Sequence, residues 1–246
     1  MEQKVKASSL NDKRIVLVGG TSGFGLATAI AAAGEGAAVI VVSSSQNRVE
    51  TALSALPAGS TGYAANINDE QQVEALFAKI GEFDHLVFTA GETLQVSELP
   101  TLKFDEAKQF FNIRFWGALA AAKYGSPFIR KGGSIILTNG IAGLRPWKGW
   151  TVVAGLTGAI ESLTRALAVD LAPLRVNAVC AGLVRTNLWN NIPEGDREAM
   201  FTDVGSKLLT GKVGEATDIA ESYLYLMKNN FSTGQVIIAD GGGVLV

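Results

Sequence analysis

The stretch IVLVGGTSGFGLATAIAAA, residues 15–33, decides the fold of this 246-residue chain. Its first four residues form a continuous apolar run, which predicts a strand buried on both faces. A glycine-rich turn, Gly19–Gly25, follows that strand, and an alanine-rich segment typical of a helix comes next. Glycine lets the backbone approach a ligand closely, and a helix N-terminus presents unpaired N–H groups to anions. The order of strand, turn and helix therefore predicts a pyrophosphate-binding site.

Further apolar runs are spread along the rest of the chain. They are VIVV at 39–42, HLVF at 85–88, SIIL at 134–137, RVNAV at 175–179 and QVII at 235–238. Helical periodicity separates them, as in residues 70–80, where Val73, Leu76, Phe77 and Ile80 repeat at the spacing of one helix face. This alternation predicts an α/β fold, with a parallel sheet covered by helices on both sides.

Length and charge limit the classes of function. At 246 residues with 48% hydrophobic composition, we expect one domain spanning residues 1–246. The formal net charge of -2 argues against a nucleic-acid partner, which normally requires a basic surface. We expect no membrane partner, since the first residues lack a signal peptide and no uninterrupted apolar stretch is long enough to span a bilayer. The polar, poorly periodic stretch 187–211 is interpreted as a substrate lid or a plain surface insertion.

The chain has one histidine and one cysteine, which argues against a disulfide and against a zinc site. Cys180 is the one cysteine, so it cannot form an intrachain disulfide. His85 is the one histidine, so the paired Cys or His spacings of a zinc site are absent and we expect no metal. His85 begins an apolar run and is interpreted as structural, and Cys180 as a small core residue. A reducing cytoplasm fits this composition.

The chain resembles the short-chain dehydrogenase/reductase family from end to end. The matching motifs are VGGTSGFG at 18–25 for TGxxxGxG, FTAG at 88–91 for NNAG, Asn112 for the helix Asn, RVNAVCAGLVRT at 175–186 and TGQVIIADGG at 233–242. The resemblance implies a doubly wound Rossmann fold with a seven-stranded parallel sheet. It also implies a nicotinamide dinucleotide cofactor and packing into homodimers or homotetramers, for which the small residues Ala118–Ala122 would allow close helix approach.

The glycine turn and the end of the second strand predict the cofactor. The turn supplies Gly19, Thr21, Ser22, Gly23, Phe24 and Gly25. At the end of the second strand an acidic residue would select NAD(H), but Ser43, Ser44 and Ser45 stand there, with Arg48 one helical turn away. Hydroxyls and a guanidinium favour a 2′-phosphate, so NADP(H) is favoured over NAD(H). The alternative is that Arg48 simply faces solvent.

The resemblance assigns the remaining cofactor contacts. These residues are Asn66 and Ile67 at the adenine, Ala90 and Gly91 at the ribose, and Gly182, Val184 and Thr186 at the nicotinamide carboxamide. Ala181 stands where the family usually has Pro, so a constraint on φ is lost there.

When the chain is aligned with the family that it resembles, the family's proton-transfer residues are missing. Val153 stands at the Tyr position, Thr157 at the Lys position and Gly140 at the Ser position, so Asn112 alone remains of the four. No Tyr in the chain is followed by Lys four residues later. Losing a positioned acid typically costs on the order of 10²–10⁴-fold in rate, whereas the hydride comes from the cofactor.

Three functions remain open. The first is an NADP(H)-dependent oxidoreductase that reduces a small-molecule ketone or imine with a non-standard proton donor. Substitutes for that donor lie in residues 144–150, where Arg145 or Lys148 could polarise a carbonyl and Trp147 or Trp150 could wall an aromatic pocket. The second is a catalytically inactive NADP(H)-binding regulatory or assembly protein. The third is a lyase or isomerase on the same scaffold.

Overall fold

The computed structural model describes residues 9–94 and 96–246 of the chain. The helices are α1 (Gly23–Gly34), α2 (Gln46–Ser54), α3 (Glu70–Ile80), α4 (Phe104–Gln109), α5 (Ala118–Gly125), α6 (Thr151–Asp170), α7 (Glu194–Lys207) and α8 (Ala216–Lys228). The strands are β1 (Arg14–Val18), β2 (Ala38–Ser43), β3 (Thr61–Ala64), β4 (Phe83–Phe88), β5 (Ile129–Gly140), β6 (Arg175–Ala181), β7 (Val184–Arg185), β8 (Gly214–Glu215) and β9 (Val236–Ala239).

Seven strands form one parallel sheet in the order β3-β2-β1-β4-β5-β6-β9. The predicted doubly wound α/β fold is confirmed. The chain runs outward from β1 in one direction through β2 and β3, then returns to continue from β4 on the other side. Ligands of such sheets bind at this reversal point, outside the carboxyl ends of the strands.

Apolar clusters cover the two faces of the sheet. One face packs against α3, α5 and α6, and the other against α1 and α8. Helix α6 is long and apolar enough to meet the criteria of a membrane span, but it packs on β5 and β6 with Leu156, Ile160 and Leu167 buried. It is a core helix of the sheet, which explains its composition.

The small residues of α5 serve this chain's own core. Ala118, Ala121 and Ala122 are fully buried against the sheet. Their small size is explained by packing within this chain. It therefore gives no support to the close approach of a helix from a second copy that was expected at Ala118–Ala122.

The lone histidine and cysteine lie inside the sheet. His85 Nδ1 is 2.8 Å from Ser134 Oγ on the neighbouring strand, and burial lowers the pKa of His85 to about 3. Burial likewise raises the pKa of the Cys180 thiol to about 12. Both side chains are neutral at physiological pH, in agreement with structural roles.

Candidate dinucleotide and substrate site

The turn between β1 and α1 has the geometry of a phosphate cradle. Gly19 has a φ of +89°, a conformation that other residues rarely adopt, and a Cβ there would lie 2.5 Å from the backbone nitrogen of Ala90. Ser22 precedes the first turn of α1, and no acidic side chain stands in that turn. The unpaired N–H groups of the helix are therefore available to an anion.

This turn borders a cavity of about 340 Å³, called here the dinucleotide cavity. Most of the cofactor residues predicted from the sequence line it: Gly19, Thr21, Ser22, Gly23, Phe24, Ser43, Ser44, Arg48, Asn66, Ile67, Ala90, Gly91 and Thr186. The structure thus brings together side chains and turns from the ends of β1, β2 and β4.

Gly25 and Ser45, both predicted at the cofactor, do not line this cavity. Gly25 lies beneath the turn, where a Cβ would collide with the carbonyl of Gly19, so its role is close packing. Ser45 caps α2, because its Oγ accepts a hydrogen bond from Arg48 N at 3.4 Å. Both residues shape the site without facing it.

At the β2 end, Arg48 is exposed and makes a side-chain hydrogen bond at the edge of the cavity. Its Nη2 donates to Ser44 Oγ at 2.9 Å, and both residues line the dinucleotide cavity. Glu92 is the one carboxylate among the described residues that line this cavity. The β2 end therefore combines a guanidinium with hydroxyls and has no carboxylate to repel a phosphate.

A second cavity of about 640 Å³ adjoins the first and is called here the substrate cavity. Its walls are mainly apolar and aromatic, including Phe110, Leu156, Ile160, Leu183 and Leu208. Trp147, Trp150 and Trp189 line it as well, and the rings of Trp147 and Trp150 meet edge to face at 5.2 Å. Gly182 and Val184, predicted at the nicotinamide, line this cavity rather than the dinucleotide cavity.

The two cavities meet at a junction of five residues that line both: Phe24, Arg114, Thr138, Thr186 and Leu188. Thr138 is fixed there, since its Oγ1 lies 2.6 Å from the carbonyl of Phe88 and 2.6 Å from the buried Tyr223 hydroxyl. Ligands in the two cavities would meet across this junction.

A family model described as an SDR-like Rossmann domain matches residues 6–246. The chain belongs to the short-chain dehydrogenase/reductase family. The short-chain dehydrogenase/reductase ucsE of Acremonium sp. is 36% identical over 258 residues, covering 97% of this chain and 98% of that protein.

Two solved structures of this family are similar along nearly the whole chain. A small-chain dehydrogenase in complex with NADPH has a TM-score of 0.83 at 36% identity, over 96% of this chain and 100% of that one. The MalC reductase/Diels-Alderase from Malbranchea aurantiaca has a TM-score of 0.90 at 29% identity, over 98% and 100%.

The residues predicted to replace the family's proton-transfer groups lie together in the substrate cavity. Val153 and Thr157 are buried one turn apart on α6, and Gly140 ends β5 beside them. A Cβ at Gly140 would lie 3.9 Å from Thr157 Cγ2, and the Thr157 hydroxyl donates to its own helix at Ala154 O. None of the three side chains titrates.

The structure does not bring Asn112 into the site. It is exposed and lines neither cavity, whereas Arg114, two residues further, lines both. The two residues share a π-helical segment, Asn112–Gly117, in which Trp116 N donates to Phe111 O, five residues back. Sequence reasoning missed Arg114, although a single cation within the apolar run NIRFWGALAAA was an available signal.

The predicted substitutes in 144–150 are only partly in the site. Trp147, Trp150 and the exposed Arg145 line the substrate cavity. Lys148 lines neither cavity: its side chain is 82% exposed, and its Nζ lies 2.9 Å from Glu98 Oε1. Lys148 therefore forms an ordinary surface ion pair with Glu98 in this structure.

Asn139 has an unusual environment. It lines the substrate cavity at the end of β5, and the described residues offer neither Nδ2 nor Oδ1 of its buried amide a hydrogen-bond partner. No group of three His, Cys, Asp or Glu suited to a metal occurs within residues 9–94 and 96–246.

The predicted lid, 187–211, contains α7 and closes one side of the substrate cavity with Met200, Val204 and Leu208. Arg185 ties α7 to the body of the protein. Its Nη1 lies 2.6 Å from Glu198 Oε2, its guanidinium stacks on Phe201 at 4.5 Å, and its Nε is 3.6 Å from Glu215.

Proposed function

We propose that this family member is an NADP(H)-dependent oxidoreductase that reduces a small-molecule ketone or imine without the family's Tyr, Lys and Ser. Val153, Thr157 and Gly140 take those positions. The observation that carries the proposal is the junction at which the dinucleotide and substrate cavities share five residues. A hydride donor in one cavity and an acceptor in the other would meet there at the close range that transfer requires.

The residues present fit a nicotinamide dinucleotide. The Gly19 turn offers a backbone cradle without room for a side chain, and the N-terminus of α1 favours a pyrophosphate. The Ser44 and Arg48 pair suits the 2′-phosphate of NADP(H), and a solved relative was crystallised with NADPH. When bound, the reduced cofactor supplies the hydride, while the chain orients the acceptor and excludes water.

A lyase or isomerase reaction in the same cavity is the second candidate. The apolar walls suit a reaction that needs no proton transfer, since neither Val153 nor Thr157 has a titratable side chain and Gly140 has none. The Malbranchea relative, a reductase/Diels-Alderase, supports this candidate because a Diels-Alder cycloaddition transfers no proton.

NADPH oxidation measured against a panel of apolar aromatic ketones and cyclic imines tests the first candidate. We expect turnover by the wild-type protein and NADPH binding that Arg48→Gln weakens at least tenfold, because the 2′-phosphate loses its guanidinium. NADPH that binds tightly but is never oxidised would instead indicate the inactive regulatory or assembly protein. Substrate consumption without NADPH oxidation would favour the lyase or isomerase.

The triple variant Gly140→Ser, Val153→Tyr, Thr157→Lys tests whether these three positions lack the family's Ser, Tyr and Lys. A Cβ at Gly140 meets only ordinary van der Waals contacts, so Ser fits there. We expect the variant to reduce carbonyls with a pH profile set by the new Tyr, a pH dependence that the wild type lacks. An unchanged pH profile in an active variant would contradict this reading of the three positions.

We further propose that the protein acts in the cytoplasm on small molecules, as a homodimer or homotetramer. Its one cysteine is buried and unable to form an intrachain disulfide, which suits a reducing compartment. Exposed apolar side chains such as Trp116 and Phe104 supply surface for self-association.

A further inference from the structure

We propose that Arg114 is the catalytic residue that binds the substrate oxygen or nitrogen during reduction, and that Glu92 is the positioning residue that holds its guanidinium at the junction. This inference rests on the proposed function and names the group that replaces the family's missing polarising residues.

The position of Arg114 carries the first step. It is the only charged residue among the described residues that line both cavities, and its side chain is 23% exposed. The other cations near the substrate cavity lie at its exterior: Lys207 pairs with Asp203 at 2.7 Å on exposed side chains, and Arg145 is exposed. A partly desolvated charge acts much more strongly on a reacting group than an exposed one.

The surroundings of Arg114 hold its plane in one orientation. Its Nη2 donates to the carbonyl of Glu92 at 2.5 Å, and its guanidinium lies 5.2 Å from the ring centre of Phe110. A Cβ at Gly91 would lie 2.5 Å from Arg114 Cζ. Gly91 therefore allows the guanidinium to lie directly against the backbone.

Glu92 supplies the charge that fixes this arrangement. Its Oε1 accepts a hydrogen bond from Ile113 N at 2.6 Å, which anchors the carboxylate to the segment carrying Arg114. Its Oε2 lies 3.7 Å from Arg114 Nε, and neither of these two buried atoms has a hydrogen-bond partner among the described residues. Among the described residues, the side-chain hydrogen bond that Arg114 makes uses Nη2, which leaves Nη1 for a ligand.

The chemistry follows from this geometry. A hydride that bound NADPH would supply would add to the carbonyl carbon and push the π electron pair onto oxygen, and NADP⁺ would be left behind. The guanidinium of Arg114 stabilises that developing negative charge, because Arg keeps its proton at neutral pH. Water then supplies the proton that completes the alcohol. For an imine, the same pair moves onto nitrogen and water again supplies the proton.

Variants of Arg114 test the catalytic role on a ketone that the wild type reduces. We expect Arg114→Gln to lower kcat by roughly 10²–10³-fold, the usual effect of removing one oxyanion donor, with the NADPH Kd within threefold of wild type. The matched control is Arg165→Gln, which removes the same charge from an exposed position on α6 and should leave kcat unchanged. A kcat for Arg114→Gln within twofold of wild type would overturn the proposal.

A double-mutant cycle tests the positioning role. We expect Glu92→Gln, which keeps the hydrogen bond from Ile113, to lower kcat about tenfold with little change in KM. In the Arg114→Gln background, the same substitution should have no further effect, because Glu92 acts through Arg114. Additive losses of kcat would show that Glu92 does not act through Arg114.

If no ketone or imine on the panel is reduced, the proposed reduction fails, and binding decides the role of Arg114 separately. The probe is 2-naphthoate, whose carboxylate mimics the charge that develops on the substrate oxygen, added to the NADP⁺-loaded protein in a calorimeter. We expect Arg114→Gln to weaken its binding at least tenfold and Arg165→Gln to leave it unchanged. Equal binding to wild type and Arg114→Gln, or no binding to wild type, would overturn the assignment.

Discussion

His85 shows how its surroundings fix the charge of one residue. Burial and, to a smaller extent, the nearby Arg175 lower its pKa to about 3, against an opposing effect of Asp84. Between pH 6.5 and 3 the unfolded chain therefore takes up a proton that the folded protein refuses. Stability is complete above the unfolded pKa and decreases as the pH falls through this window, by up to roughly 1.4 kcal/mol per pH unit.

Urea unfolding at pH 7.5 and pH 5 measures this effect. The control is His85→Leu with Ser134→Ala, which removes both partners of the buried hydrogen bond at once. We expect wild type to lose more free energy of unfolding than the double variant between the two pH values. Equal losses would mean that other groups, such as Asp84 with its lowered pKa, account for the acid sensitivity.

At the residue scale, the structure brings predicted residues together where local backbone geometry constrains them. The Gly19 turn and the Ser44 and Arg48 pair follow from local sequence, because a turn and a strand end constrain their own neighbours. Arg114 was not predicted, because its place at the junction depends on a π-helical segment and on Gly91, which is 23 residues away in sequence. Asn112 was chosen by motif alone, and the packing of that segment leaves it exposed.

At the level of elements, the contacts of Arg185 predict how the lid is held. Its ion pair with Glu198 and its stacking on Phe201 join β7 to α7. We expect Arg185→Met to increase proteolytic cleavage within 190–211 several-fold, because α7 then opens more often. Arg197→Met serves as control, because it removes a partly exposed arginine of the same helix, whose Nη1 donates to Asn190 Oδ1. Equal cleavage rates in the two variants would contradict this role for Arg185.

Buried strands were easier to predict than exposed elements. The apolar runs at 15–18 and 39–42 became β1 and β2, and the periodicity at 70–80 became α3, which Asp69 caps by accepting from Gln71 N and Gln72 N. The edge strand β3, with sequence TGYA, was not identified, since it lacks the apolar run of a strand buried on both faces. Helix α7 was also missed, because few of its residues contribute to a buried face.

For the whole molecule, the exposed surface leads to a prediction about assembly. Trp116 is 59% exposed, with its ring edge against Phe115 at 4.9 Å. We expect sedimentation equilibrium to show a dimer or tetramer, and Trp116→Glu to shift it toward monomer by placing a charge in an apolar contact. Leu99→Glu, at another exposed apolar position, is the control. A monomeric wild type would contradict the prediction.

Three of the chain's four tryptophans line the substrate cavity, and this distribution gives the protein an optical property. The emission of indole overlaps the near-ultraviolet absorption of reduced nicotinamide, so energy would pass from Trp147, Trp150 and Trp189 to NADPH across the junction. Quenching of intrinsic fluorescence would then report cofactor binding without a label. The exposed Trp116 would supply a less quenched background, and removing it would sharpen the signal.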